Sequence, residues 1–317
     1  MYILYKNILL ILLMFGFATA TALATEDVSF LLTASAKGDL ATVSALLGSG
    51  ASANAKDADG ITALMYAARK NSVEVVETLL NNGADVSAKD NSGWTALMFA
   101  AKKGYTETVD ELLNHGADPK IRDEDGWSAF GMAAVAGSAK TVDVLLKHGV
   151  DVNTRSDDGK TVLMHAAKGG DLATVKVLLD HQAEIQAHDR LGTTALMIAA
   201  REGRDLVIEL LVQKGASLEQ KDASEWTALT WAVKKSKLDA ARALILAGSD
   251  VNNLDAEGSS LLHMAVNNKE SSMVKLLIDN KAKVNAKNQY GLTPLVYALK
   301  AHQPDIIRLI KEAGGSY

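Results

Sequence analysis

The chain has 317 residues, 48% of them hydrophobic and 22% charged, which is ample apolar material for a core and too little charge for a disordered chain. Without Cys it can form no disulfide framework, thiolate metal site, cysteine nucleophile or cysteine-borne lipid anchor. Its 33 basic and 38 acidic residues leave a net charge of −5, which excludes a nucleic-acid-binding polycation.

Residues 1–24 place Lys6 ahead of an apolar run from Ile8 to Phe17, and small residues follow, ending in Ala22-Leu23-Ala24. This is the pattern of a secretory signal peptide and predicts cleavage after Ala24. The apolar run is shorter than the roughly 20 residues that span a bilayer, and no later stretch approaches that length. The mature chain is therefore expected to be exported and to insert in no membrane. A periplasm is the preferred destination, with release outside the cell left open.

From residue 25 onward the chain repeats. Glycines stand at 60, 93, 126, 159, 192, 258 and 291, every 33 residues, with Glu225 on the one missing beat. Two residues after each beat comes a hydroxyl: Thr62, Thr95, Ser128, Thr161, Thr194, Thr227, Ser260 and Thr293. Four residues after it comes Leu or, once, Phe130. The same phase runs back into Ser29, Leu31, Val43, Leu46 and Gly50. Nine units follow: 25–56, 57–89, 90–122, 123–155, 156–188, 189–221, 222–254, 255–287 and 288–317. They leave no length for a separate catalytic domain.

Each unit predicts two short helices and a turn. In the second, Thr62 is placed to cap a helix whose apolar face is Leu64, Ala67 and Ala68 at i, i+3, i+4 spacing. Val73, Val76, Leu79 and Leu80 mark a second helix, ended at Gly83. Residues 84–93 are rich in turn formers and lead to the next unit.

These residues resemble the ankyrin repeat. Its T-P-L-H-x-A signature stands here as Thr62-Ala63-Leu64-Met65-Tyr66-Ala67 and Thr293-Pro294-Leu295-Val296-Tyr297-Ala298, and Gly-Ala-Asp-Val recurs at 83–86. The resemblance covers all of 25–317. It implies an all-α, elongated and curved solenoid of stacked helix-turn-helix units with β-hairpin-like loops projecting to one side. The signature His is found only at His263, and Gln182 and Lys281 replace the helix-ending Gly. With Glu225 also off pattern, local weakening is expected near repeats five, seven and eight.

Motifs for chemistry are missing. No G-x-x-x-x-G-K-[ST], H-E-x-x-H or G-x-S-x-G occurs. The clusters Asp123-Glu124-Asp125 and Asp157-Asp158 lie in the repeated turn without the ligand spacing of a calcium loop. His115, His148 and His181 form a column, but stacked helices lie roughly 8–10 Å apart, whereas a shared zinc needs bonds of about 2 Å. His165 reads as a partly buried packing residue. The chain is thus expected to be no enzyme and to hold no metal or cofactor. A metal-dependent hydrolase using His148 and Asp157 is the contrasting class, and no motif favours it.

Surface columns carry the functional expectation. Trp94, Trp127 and Trp226 follow the beat directly, while Trp231 is expected in the core. Arg69, Lys102, Lys168, Arg201, Lys234 and Lys300 form a basic column on the first helix, interrupted by Val135 and Asn267. A second precedes each turn, with Lys56, Lys89, Arg122, Arg155, His188, Lys221 and Lys287 broken by Leu254. In the ankyrin arrangement these columns line the concave side and its loops. The partner-binding set read from them is Arg69, Lys70, Trp94, Lys102, Lys103, Arg122, Trp127, Arg155, Lys168, Arg201 and Trp226, centred on repeats three to six. Packing of Trp94 and Trp127 on the neighbouring loop is the competing reading. The resulting expectation is a monomeric, exported protein-binding scaffold whose partner carries an acidic patch, with a secreted effector acting on host proteins as the alternative.

Overall fold

The computed structural model describes residues 28–317, so the segment 1–24 that the sequence reads as a signal peptide and the first residues of the first repeat lie outside the described residues. Among the described residues there are eighteen helices and no strand. They come in antiparallel pairs: α1 (28–37) with α2 (Leu40–Gly48), α3 (Ala63–Lys70) with α4 (Val73–Asn81), α5 (Ala96–Lys103) with α6 (Thr106–Asn114), and α7 (Ala129–Val135) with α8 (Ala139–Lys147). Then follow α9 (Val162–Gly169) with α10 (Leu172–Asp180), α11 (Ala195–Glu202) with α12 (Asp205–Gln213), and α13 (Ala228–Lys234) with α14 (Leu238–Leu246). The last pairs are α15 (Leu261–Asn267) with α16 (Ser271–Asp279) and α17 (Pro294–Lys300) with α18 (Pro304–Glu312).

Two compact units divide between Val150 and Asp151. In the first, α3, α5 and α7 stack as one row and α2, α4, α6 and α8 as another. In the second, the odd-numbered helices α9 to α17 and the even-numbered α10 to α18 stack in the same two-row manner.

The hydroxyl column starts the odd helices. Thr62, Thr95, Ser128, Thr161, Thr194, Thr227 and Ser260 each accept the amide of the residue three positions on, at 3.3–3.4 Å. Thr293 departs: its hydroxyl donates to the Ser316 carbonyl at 2.9 Å, and Pro294 presets the first helical φ instead. The apolar face then buries itself, with Leu64, Ala67, Ala68, Val76 and Leu79 at no more than 1% exposure. The paired alanines let the odd helices approach closely, and each fully buried Leu contributes about 1.5–3 kcal/mol.

The beat residues serve a turn and a close approach at once. Gly192 has φ +77°, and a Cβ there would stand 3.1 Å from Cα of Asp222 in the next loop. Glu225 takes φ 62° on the same beat and ion-pairs with Lys221 at 3.1 Å. Isolated bridges such as Arg122 to Ser128 and His188 to Thr194 give the loops their hairpin character. Neighbouring tips are zipped by backbone bonds, among them Asn91 N–H to the Asp59 carbonyl (3.0 Å) and Ala223 N–H to the Leu191 carbonyl (2.8 Å).

A polar side chain at the end of several repeats clamps the next one. Asn54 donates to the Gly83 carbonyl and accepts from the Asp85 amide. Gln186 does the same with Gly215 and Ser217, and Asn285 with Gly314 and Ser316. Ser87, at the equivalent position, makes no such bond.

At the off-pattern positions the same turn persists at the expense of backbone strain. Gln182 has φ 66° and Lys281 φ 68°, yet the bonds that close the helix are kept, including Ala183 N–H to the Leu178 carbonyl at 3.0 Å. A left-handed residue with a Cβ costs about 1 kcal/mol. Gln182→Gly and Lys281→Gly are therefore each expected to raise the unfolding free energy by about 0.5–1 kcal/mol. Urea unfolding of the single variants checks this, and an unchanged or lower midpoint would refute the strain.

Candidate functional site

The first residue of each hairpin organises it. Asp57, Asp90, Asp123, Asp189, Asp222 and Asp255 each turn one carboxylate oxygen onto the amides two and four residues ahead, at 2.7–3.1 Å. The fourth-residue amide belongs to Trp94, Trp127 or Trp226, so this column fixes where three of the tryptophans leave the backbone. This column was not among the residues expected from sequence, although Asp, Ser or Asn recurs three residues before every beat. The second carboxylate oxygen reaches an aromatic nine residues on, accepting from the Tyr66 hydroxyl at Asp57 and from the Trp231 indole N–H at Asp222, both 2.8 Å. Burial opposes the charge on Asp57, but the Tyr66 hydroxyl and the Ile61 and Asp59 amides hold its carboxyl below the usual range. Ser156 replaces the Asp in the hairpin of repeat five and donates to Asp158, whose carboxyl lies well below its usual range because of Lys160 and Ser156.

In the first unit, aromatic and cationic side chains gather on the α3–α5–α7 row. The Trp94 and Phe99 ring centroids are 4.9 Å apart, and the Lys102 ammonium stands 4.6 Å from the Trp94 ring. The Arg69 guanidinium lies 5.3 Å from Phe99 and 5.8 Å from Tyr66. Two adjoining grooves result. One, of about 510 Å³, runs between Ile61, Arg69, Asp90, Phe99 and Lys103. The other, of about 450 Å³, is lined by Trp94, Lys102, Trp127, Met132, Val135 and Ala136, with Asp123 and Asp125 at its acidic wall.

A glycine shapes the second groove. Where α3, α5, α9 and α11 carry Met65, Met98, Met164 and Met197, α7 carries Gly131. The Trp127 ring occupies that notch, its Cε3 only 3.2 Å from where a Cβ on Gly131 would stand. Val135, which interrupts the basic column, is 51% exposed and supplies apolar wall instead of charge.

A different cluster occupies the second unit. Trp226 and Trp231 meet edge to face at 4.7 Å, Arg201 stands 5.5 Å from the Trp231 ring, and Lys234 stands 5.8 Å from Trp226. A cleft of about 460 Å³ lies beside them. Trp231 is half-buried at this cleft and not in the core, because its indole N–H is drawn to Asp222 at the hairpin.

Of the residues read from the sequence, Arg69, Trp94, Lys102, Lys103 and Trp127 are brought together in the first unit, and Lys70 is exposed at the end of α3 outside the two linings. Arg201 and Trp226 belong to the second cluster. Arg122 turns back on its own hairpin, donating to the Gly126 carbonyl at 2.9 Å. Arg155 likewise donates to Gly159 (3.0 Å) and His188 (2.9 Å) carbonyls. Lys168 is exposed on α9 away from both clusters, and its carbonyl accepts from Arg204. Phe99, Met132 and Val135 are groove residues that the basic and tryptophan columns did not reveal.

The histidine column disperses: His148 meets Asp110 at 2.8 Å, and His115 meets Glu111 of its own helix at 3.1 Å. Burial pushes the His165 imidazole below its usual range, against the pull of Asp158. Among the described residues no three His, Asp or Glu side chains are grouped to hold a metal ion, and no helix is long and apolar enough to cross a membrane.

A family model for ankyrin repeats, in three copies, matches residues 30–123, 111–189, 184–255 and 229–316. Among solved structures, the crystal structure of the human ASB11 ankyrin repeat domain superposes with a TM-score of 0.64 at 22% identity, covering 71% of this chain and 100% of that one. At that identity the likeness is one of fold. The comparison with curated proteins found no match.

Proposed function

The chain belongs to the ankyrin-repeat family, and from that premise we propose that it is an exported scaffold that binds a partner protein through the Trp94–Trp127 grooves of its first unit. Ankyrin repeats support a protein-protein interaction role, and their fold is typically a non-catalytic interaction domain. The observation that carries the choice of surface is the groove itself. Trp94, Trp127 and the exposed Val135 form an apolar wall, with the Trp127 ring seated in the notch that Gly131 leaves and Lys102 at the rim. A half-buried Trp offers large area at low entropy cost, which is why such residues dominate binding energy. Lys102 is already held over Trp94, so little freedom is lost when it meets a carboxylate. An apolar anchor side chain beside an acidic patch, facing Arg69, Lys102 and Lys103, is the partner chemistry that fits. Attraction between that patch and these cations would also speed encounter.

The finer reading rests on sequence. The signal-peptide pattern of residues 1–24 supports export, with a periplasm as the favoured site of action. The unbroken phase supports one nine-repeat array over 25–317, acting as a monomer.

A pull-down from the envelope fraction tests the proposal, using mature chain 25–317 and a triple variant, Trp94→Ala, Trp127→Ala, Lys102→Glu. Circular dichroism first establishes that the variant is folded. Capture of a specific protein should fall about tenfold or more with the variant, as loss of hot-spot contacts implies. A protein held equally by both baits would place the binding surface elsewhere.

A further inference from the structure

We infer that the chain carries a second binding site, in the unit 151–317, built to receive the carboxylates of an acidic peptide segment. It goes beyond the Trp94–Trp127 grooves and shares no residue with them. Its frame is the α11–α14 cleft of about 460 Å³, lined by Arg201, Glu202, Trp231, Lys235 and Lys237. Lys234 adds a further cation next to it, over Trp226.

The charges there are unbalanced. Arg201 is paired with Glu202 at 3.2 Å, whereas Lys234, Lys235 and Lys237 have no carboxylate partner among the described residues. Lys234 and Lys235 are exposed, while the stem of Lys237 lies over Gly203 and its side chain lines the cleft. Like charges gathered without counter-charges raise the free energy of the empty cleft, and an anionic ligand relieves it.

The tryptophans decide which anion fits. The Trp231 indole N–H is committed to Asp222, and its ring is packed against Trp226 and faced by Arg201. Trp226 is faced by Lys234. These rings therefore work as shelves that hold cations in place, and each cation occupies ring surface on which a single-stranded nucleic acid would otherwise stack a base. Glu202 within the lining would repel a continuous phosphate backbone but can sit between spaced carboxylates. A guanidinium and two ammonium groups lining the cleft, with the Lys234 ammonium beside it, suit two or three Asp or Glu side chains of an extended segment.

The test is fluorescence anisotropy at low salt with a labelled poly-glutamate peptide and a labelled oligothymidylate of matched charge. Three forms of the chain 25–317 are compared: wild type, Lys234→Glu with Lys235→Glu, and Trp127→Ala with Lys102→Glu. Lys234→Gln with Lys235→Gln serves as a milder second cleft variant. Wild type should bind the peptide, the charge-reversed cleft variant about tenfold or more weakly, and the Trp127–Lys102 variant as wild type does. The Gln pair should fall between, and added salt should weaken binding. No binding by wild type, undiminished binding by the cleft variants, or equal or tighter binding of oligothymidylate would each overturn the inference. Loss confined to the Trp127–Lys102 variant would overturn it too and place the acidic ligand in the first unit.

Discussion

Asp222→Ala is expected to destabilise the chain by about 3 kcal/mol and to free the Trp226–Trp231 pair. Asp222 is only 7% exposed and holds three donors: the Ser224 amide (2.8 Å), the Trp226 amide (3.1 Å) and the Trp231 indole (2.8 Å). A donor stranded away from water costs about 1–3 kcal/mol, and the Ser224 amide, at the exposed tip, can recover a water. The last hairpin shows what an amide can replace. Asn288 accepts the Tyr290 and Leu292 amides just as the aspartates do, and its NH₂ donates to the Tyr297 hydroxyl at 2.9 Å. A tyrosine hydroxyl can accept, but an indole N–H can only donate. Asp222→Asn should therefore keep the hairpin bonds, lose the indole bond and cost about 1–1.5 kcal/mol. Urea unfolding with near-ultraviolet circular dichroism separates the two variants. A cost below about 1 kcal/mol for Asp222→Ala would show that the column does not hold the hairpin.

Gly131→Met should destabilise by about 2–3 kcal/mol and abolish partner capture. Met is the residue at this position in α3, α5, α9 and α11, so a consensus argument would make the change harmless. Sterically it is not, because the Trp127 ring already fills the space, with Cε3 at 3.2 Å and Cζ3 at 3.5 Å from the new Cβ. Overpacking of this kind costs about 1–3 kcal/mol, and turning the ring out to water adds lost apolar burial. Gly131→Ala is the control. Its Cβ needs the ring to yield by a few tenths of an ångström, while helix propensity improves by about 1 kcal/mol, so the two nearly cancel. Thermal unfolding and the tryptophan emission maximum report the outcome. A Met variant with unchanged emission and midpoint would mean that the ring does not depend on the notch.

The period of 33 carried the fold: it foretold paired short helices, hydroxyl caps and left-handed turns, all of which the structure contains. Side-chain direction is what spacing leaves out. Arg122 and Lys102 both read as basic columns, but the Arg122 guanidinium folds onto Gly126 while Lys102 lies over an indole. The helical period puts Trp231 on the apolar side and in the core, but a hydrogen bond to Asp222 draws its indole to the hairpin and leaves it half-buried. Val135 read as a gap in a row of charge, and only the neighbours that close around it reveal an apolar groove wall. The aspartate column was legible in principle, since it keeps the glycine period, but its role depends on which amides the loop presents.

Ser87 leaves out the clamp that Asn54 supplies one repeat earlier, so the joint between repeats two and three has no side-chain clamp at that corner. The Ile61–Phe99 groove spans this same joint. A ligand lying in it acts as a strap across the seam, and linkage makes the effect mutual: whatever tightens the seam also tightens the grip. Affinity at this groove is thereby expected to respond to changes at residue 87, a dial set apart from the proposed binding surface.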